Sequence, residues 1–197
     1  IIAEHIVPAT LEIMDNFTIK AVEDFSQVGL PLNAAALLLI EVDGHPAQVE
    51  DEARKVEDLC RKLGASHIQV AEDASQRDRV WEARRSALSA LARLKPTLVL
   101  EDATVTRSRI PDMVAAIADT ARRFRLTIGT FGHAGDGNLH PTILCDKRDP
   151  EEWARVEHAV EAIFEAALAM GGTLSGEHGI GLAKARFMER ETGEATL

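Results

Sequence analysis

RLTIGTFGHAGDGNLHPTILCD, residues 125–146, reads as two short strands joined by a tight reversal. Apolar and β-branched residues flank Asp136-Gly137, and both central positions of a type I′ turn need positive φ, which Gly adopts freely and Asp tolerates better than most. A two-residue loop at 136–137 sets Gly135 opposite Asn138, Ala134 opposite Leu139 and His133 opposite His140. The two imidazoles then share a face of the sheet, with Cβ atoms roughly 4.5–5.5 Å apart. In one straight strand the period-two pleat would send them to opposite faces, so the reversal is what predicts a shared site. Spacing alone leaves two readings open: a pair of metal ligands, or a buried histidine pair tied to backbone carbonyls.

Moving outward, apolar positions at helical spacing predict a helix over 10–28, closed by Gly29 and Pro31. The run AAALLLIEVDG (34–44) predicts a buried strand and a turn, 48–63 a helix, and HIQVAED (67–73) a second strand. Residues 78–94 read as a helix, 97–106 as one alternating strand, and Pro111 as the opening of a further helix. Asp149 is placed to cap a long helix with Pro150 in its first turn, ended by Gly171-Gly172. The pattern is α+β, an antiparallel sheet with helices packed on it, without linker, repeat or low-complexity segment.

Composition narrows the function classes. A chain of 197 residues, 46% apolar and 27% charged, is long enough for one good core or two small ones. The formal charge of −10 disfavours nucleic-acid binding, which needs clustered Lys and Arg. No apolar run reaches the length of about 18 residues that spans a bilayer. The two cysteines, Cys60 and Cys145, read as reduced packing residues of a cytosolic protein. A start at Ile1 rather than Met suggests a fragment or a processed product.

A second glycine-rich segment, GGTLSGEHGIG (171–181), places Glu177 and His178 between Gly176 and Gly179. Glycine on both sides lets the backbone approach a ligand closely. Glu177 read alone is a solvated loop carboxylate; with His133 and His140 it completes a set of three ligands, the arrangement of a catalytic metal site with open positions. His178 is then free to move a proton.

GHAGDGNLHP and SGEHGIG resemble the paired signatures of the C-terminal domain of FAD-linked 2-hydroxy acid oxidases and dehydrogenases, the group of the glycolate oxidase flavin subunit, D-lactate dehydrogenases and D-2-hydroxyglutarate dehydrogenase. ATLEIMD (9–15), WEARRSAL (81–88) and LEDATVTRSRI (100–110) fall in the order that family shows, so the resemblance covers nearly the whole chain. It implies a ferredoxin-like cap domain of antiparallel sheet, roofing an active site over a separate FAD-binding domain of the same polypeptide. It implies a divalent cation, zinc or manganese, on His133, His140 and Glu177, with His178 as general base. Arg84 matches a residue that grips the substrate carboxylate, and Asn138 and Lys184 are further candidates to reach the pocket. The chemistry agrees with these roles, because oxidising a 2-hydroxy acid needs an acceptor for the hydroxyl proton, and imidazole, with an ordinary pKa of about 6.5, takes protons near neutrality.

Two departures accompany the resemblance. The flavin-binding half is absent from residues 1–197, and the chain stops at Leu197, before the asparagine, proline and glycine motif that usually closes the domain. The chain on its own is therefore expected to bind metal and oxidise nothing. The resemblance also implies a small 2-hydroxy acid as substrate, a cytoplasmic location with a peripheral inner-membrane association as one option, and leaves room for a homodimer. The alternatives from other classes are a metal-dependent hydrolase and a non-catalytic metal-binding module.

Overall fold

A six-stranded antiparallel sheet covered on both faces organises the chain. The computed structural model describes residues 1–193; the last four residues of the expected domain, 194–197, lie outside the described part. Its strands are β1 (Thr10–Asp15), β2 (Ala36–Glu41), β3 (Thr97–Leu100), β4 (Ala103–Thr104), β5 (Thr127–His133) and β6 (Asn138–Cys145). The helices are α1 (Asn16–Ser26), α2 (Pro46–Lys62), α3 (Ala74–Ala92), α4 (Ile110–Phe124), α5 (Pro150–Ala169), α6 (Gly181–Lys184) and α7 (Met188–Thr192). The path across the sheet is β2-β1-β5-β6-β3, and β4 pairs the other end of β6.

Strand β6 is buried at every position, and its pleat serves two cores. Leu139, Ile143 and Cys145 pack with Met113 and Ile117 of α4 and Ile163 and Phe164 of α5. On the other face Leu144, with Phe131 and Met14, packs against Ile19 and Val22 of α1 and Leu91 of α3. Each such fully buried side chain contributes about 1.5–3 kcal/mol by removal from water. Helix α3 approaches the sheet through Ala83, Ala87 and Ala90, so closely that a Cβ at Gly129 of β5 would lie 2.8 Å from Leu91 Cδ2.

The hairpin differs from the expected register by two residues. His133 pairs with Asn138, Gly132 with Leu139 and Phe131 with His140. Residues 134–137 form a four-residue loop in which the N–H groups of Asp136 and Gly137 both donate to His133 O, at 3.1 and 2.9 Å. Neighbouring chain segments draw this loop open: Gly135 N–H donates to Leu11 O at 2.9 Å, and Gly137 O accepts from Val105 N–H at 3.0 Å. A shift of two keeps the parity of the pleat, so His133 and His140 remain on one face as diagonal neighbours. Gly137 has φ +80°, and a Cβ there would lie 1.9 Å from Val105 O, so the position admits no larger residue.

Other boundaries moved for identifiable reasons. Residues 10–15, expected in the first helix, form β1 between β2 and β5, because Leu11 and Met14 suit either period while two strands were available to pair. Asp15 is the helix cap, its Oδ1 accepting from Thr18 N–H at 2.8 Å. Strand β2, expected to be buried, is a sheet edge that leaves Leu38 half exposed. Residues 67–73, expected as a strand, are irregular and mostly exposed; Asp73 caps α3, which begins four residues before the expected start. The expected strand 97–106 is broken at Glu101-Asp102 into β3 and β4. Both cysteines are free, Cys145 within the core.

Candidate metal centre

Three imidazoles converge on one carboxylate oxygen. His133 ends β5, His140 is the third residue of β6, and Glu177 and His178 lie in the loop between α5 and α6. That loop is fastened to the sheet by reciprocal backbone bonds between Thr104 and Thr173, of 3.3 and 2.9 Å. Its glycines permit the approach: a Cβ at Gly172 would lie 2.1 Å from Thr104 O, and one at Gly176 2.3 Å from the Asn138 side chain. Glu177 Oε1 is consequently 3.0 Å from His140 Nε2, 3.4 Å from His133 Nε2 and 3.6 Å from His178 Nε2.

These separations suit a cation better than direct bonding. None of the three approaches is aligned as a hydrogen bond. Two ligand atoms about 2.1 Å from one ion are about 3.0 Å apart at a right angle and about 3.4 Å apart at the tetrahedral angle. A donor set of imidazole nitrogen and carboxylate oxygen suits first-row divalent metal ions, so the residues present fit a divalent cation of the kind expected from sequence.

The opposite ring nitrogens face carboxylates. His133 Nδ1 is 2.8 Å from Glu12 Oε1 in a well-formed hydrogen bond. His178 Nδ1 and His140 Nδ1 lie 2.8 and 3.3 Å from the same atom, Asp102 Oδ1. Carboxylates behind ligating histidines fix the tautomer and aim the far nitrogen at the metal. Each carboxylate is backed by a cation. Glu12 Oε2 accepts from Arg84 Nε at 2.7 Å, and Asp102 Oδ2 lies 3.5 Å from Lys184 Nζ. Asp102, His140, Glu177 and His178 can each offer one ligand atom within a cluster 4.8 Å across.

Burial and charge set the protonation states. Burial by itself would raise the Asp102 carboxyl, yet the His178 N–H bond, Lys184, the His178 ring and the Ser175 hydroxyl together hold it below the ordinary carboxylate range. Burial, with the neighbouring His133 ring, lowers His140 against the opposing pull of Glu177 and Asp102, which favours the neutral ligand form. Glu101 is raised by burial, partly offset by Lys184.

The sequence-predicted residues divide into two groups. His133, His140, Glu177 and His178 come together. Arg84 sits over the Phe131 ring at 4.9 Å with its Nε and Nη2 on Glu12, so its first role is to hold a carboxylate of the protein. Asn138 is buried, accepts from Thr104 Oγ1 at 2.9 Å and packs on Gly176, so it braces the loop. Lys184 is buried behind Asp102 and donates to Leu174 O at 2.8 Å. Sequence reasoning missed Glu12 and Asp102. The signal for Asp102 was the acidic pair Glu101-Asp102 interrupting an apolar alternation; Glu12 lay inside a stretch assigned to a helix. Beside His133 a cleft is lined by Thr10, Glu12, Trp81, Arg107 and Asp136.

Fold and donor set thus define an α+β domain carrying a candidate divalent-metal centre with a further imidazole, that of His178, beside it. The chain matches the family FAD linked oxidases, C-terminal domain, over residues 1–197, and it belongs to that family. It is 53% identical over 189 residues to the glycolate oxidase subunit GlcD of Bacillus subtilis (strain 168), covering 96% of this chain and 40% of that protein. Identity is 40% over 188 residues to the GlcD subunit of Escherichia coli (strain K12), covering 95% and 38%. It is 33% over 191 residues to a "Probable D-lactate dehydrogenase, mitochondrial" of Danio rerio, covering 96% and 38%. The chain therefore spans about two fifths of the length of these relatives. A solved 4-ethylphenol oxidase from Gulosibacter chungangensis shares the fold, with TM-score 0.54 and 10% identity over 79% of this chain and 37% of that one. Among the described residues no helix is long and apolar enough to cross a membrane.

Proposed function

We propose that this domain forms the substrate and metal half of the active site of a flavin-dependent 2-hydroxy acid dehydrogenase, oxidising an acid of the glycolate, D-lactate or D-2-hydroxyglutarate type to the 2-oxo acid. The observation that carries this reading is the convergence of His133, His140 and His178 Nε2 on Glu177 Oε1 at 3.0–3.6 Å. His133, His140 and Glu177 would hold the cation, zinc or manganese, which when bound would supply a Lewis acid to orient the substrate and lower the pKa of its hydroxyl. FAD, held by a partner domain of the same polypeptide, supplies the acceptor for two electrons and the hydrogen on C2.

The chain's own residues handle the proton. His178 Nδ1 faces Asp102 Oδ1 at 2.8 Å, which leaves the Nε2 lone pair directed toward Glu177 and the centre. His178 Nε2 accepts the hydroxyl proton as the C–O bond becomes C=O, and the hydrogen on C2 departs with its electron pair, so charge and atoms balance. The resulting imidazolium is stabilised by Asp102. A cleft beside His133 is lined by Glu12, Trp81 and Arg107; Arg84 spends its Nε and Nη2 on Glu12, so any grip on a substrate carboxylate falls to its remaining donors. The fold around this centre is antiparallel sheet on strands β1, β5 and β6, which keeps the two histidine ligands on rigid elements, while Glu177 comes from the loop fastened to β4.

The test is a screen of glycolate, D-lactate and D-2-hydroxyglutarate with the flavin-bearing polypeptide that contains this chain, with metal content measured on the same samples. Turnover of one of these acids, lost in His178→Ala with metal retained and lost in Glu177→Ala together with metal, is the expected result. Full turnover by His178→Ala would overturn the proposed base.

A further inference from the structure

We propose that Asp102 is a positioning residue whose single oxygen, Oδ1, sets the tautomer of both His140 and His178, tying the ligand and the base to one buried carboxylate. The inference deepens the proposed function and rests on it for its catalytic consequence. Asp102 is fully buried, and its two oxygens are treated differently by the fold. Oδ2 has three donors: the His178 backbone N–H at 3.1 Å, the Ser175 hydroxyl at 3.2 Å and Lys184 Nζ at 3.5 Å. Oδ1 faces only ring nitrogens, His178 Nδ1 at 2.8 Å and His140 Nδ1 at 3.3 Å.

The numbers of partners match: a carboxylate oxygen has two lone pairs, and two Nδ1–H groups stand before it. Neither approach is yet aligned, so Oδ1 and His140 Nδ1 are both buried without a hydrogen bond. A buried polar atom left in that state costs about 1–3 kcal/mol. The two rings are tilted by 31° to one another with centroids 5.1 Å apart, and rotation of each toward Oδ1 would satisfy both atoms together. Catalytic hydrogen bonds are commonly misaligned before the site is loaded and tighten afterwards. Glu12 holds only His133, with an aligned bond. Asp102 alone reaches both the ligand and the base among the described residues.

An amide at this position reverses the arrangement. The three donors around Oδ2 would capture the amide oxygen of Asp102→Asn, turning its NH₂ toward the rings. Both Nδ1 atoms would then accept, and both Nε2 atoms would carry the proton where a lone pair is required.

In the flavin-bearing polypeptide, Asp102→Asn is expected to weaken zinc or manganese binding about 10–100-fold. It is expected to lower kcat by about 10³–10⁴-fold with little change in KM, the scale of a wrong-tautomer defect. Glu161→Gln, a carboxylate of α5 paired with Arg190 and in contact with neither ring, is the control and should retain both properties. Should Asp102→Asn fail to fold, imidazole ¹⁵N NMR of the unmutated metal-free protein decides the matter: Nδ1–H tautomers at His140 and His178 support the proposal, and an Nε2–H tautomer at either one overturns it. Normal metal binding and kcat in folded Asp102→Asn would also overturn it. If His178→Ala kept its turnover, the functional reading would fall, while the tautomers and the metal affinity would still judge Asp102.

Discussion

The two carboxylates behind the histidines repeat one device at different depths. Glu12, on a strand paired on both sides, serves one ring and is held by Arg84, with side chains that keep 11% and 13% exposure. Asp102, at a break between two strands, serves two rings, is wholly buried and is held by Lys184, Ser175 and a backbone N–H. The shallower anchor has one aligned hydrogen bond to its ring, and the deeper one has none to either of its two rings. On this view the shallow anchor orients a ligand, and the deep anchor couples a ligand to a base.

Breaking each anchor from behind compares them directly. Lys184→Met leaves Asp102 buried without its cation, and by the usual penalty for an uncompensated buried charge it should lower stability by about 3–5 kcal/mol in denaturant unfolding. Arg84→Met acts on a pair that water partly screens, and about 1–2 kcal/mol is expected from the same measurement. If the two losses were equal, depth would not be what separates the anchors. Glu12→Gln keeps the shape of the shallow anchor while removing its charge. It should weaken metal binding about 10-fold or more, read by competition with a chelator, with kcat at saturating metal reduced far less than in Asp102→Asn. The smallest effect belongs to a position remote from both: Leu38→Thr on the half-exposed edge strand should change stability by no more than about 0.5 kcal/mol.

Much of the site was legible because its ligands sit in two short segments whose glycines have local causes. His133 and His140 share a face whether the loop holds two residues or four, since either register keeps the pleat parity. For that reason the expected pairing of His133 with His140 was wrong in register and still right about proximity, with ring centroids 5.2 Å apart. The anchors were not legible in this way. Glu12 meets His133 across 121 positions of sequence, and Asp102 meets Ser175 across 73. Only the pairing of β1 with β5, and of the 173 region with β4, brings them together. The misplaced helix start at 10–15 hid Glu12 for the same reason, because a strand between two others is chosen by its partners and not by its own period. Arg84 illustrates the limit of resemblance: it was expected to grip a substrate carboxylate, and the carboxylate it holds in the structure is the protein's own Glu12.

Whether His133, His140 and Glu177 bind one divalent cation can be read from anomalous diffraction by crystals of the zinc-loaded, flavin-bearing protein, recorded on both sides of the zinc edge. The account predicts one peak about 2.0–2.2 Å from His133 Nε2, His140 Nε2 and a Glu177 carboxylate oxygen. A fully loaded protein with its zinc elsewhere, and those three side chains free of it, would contradict the account.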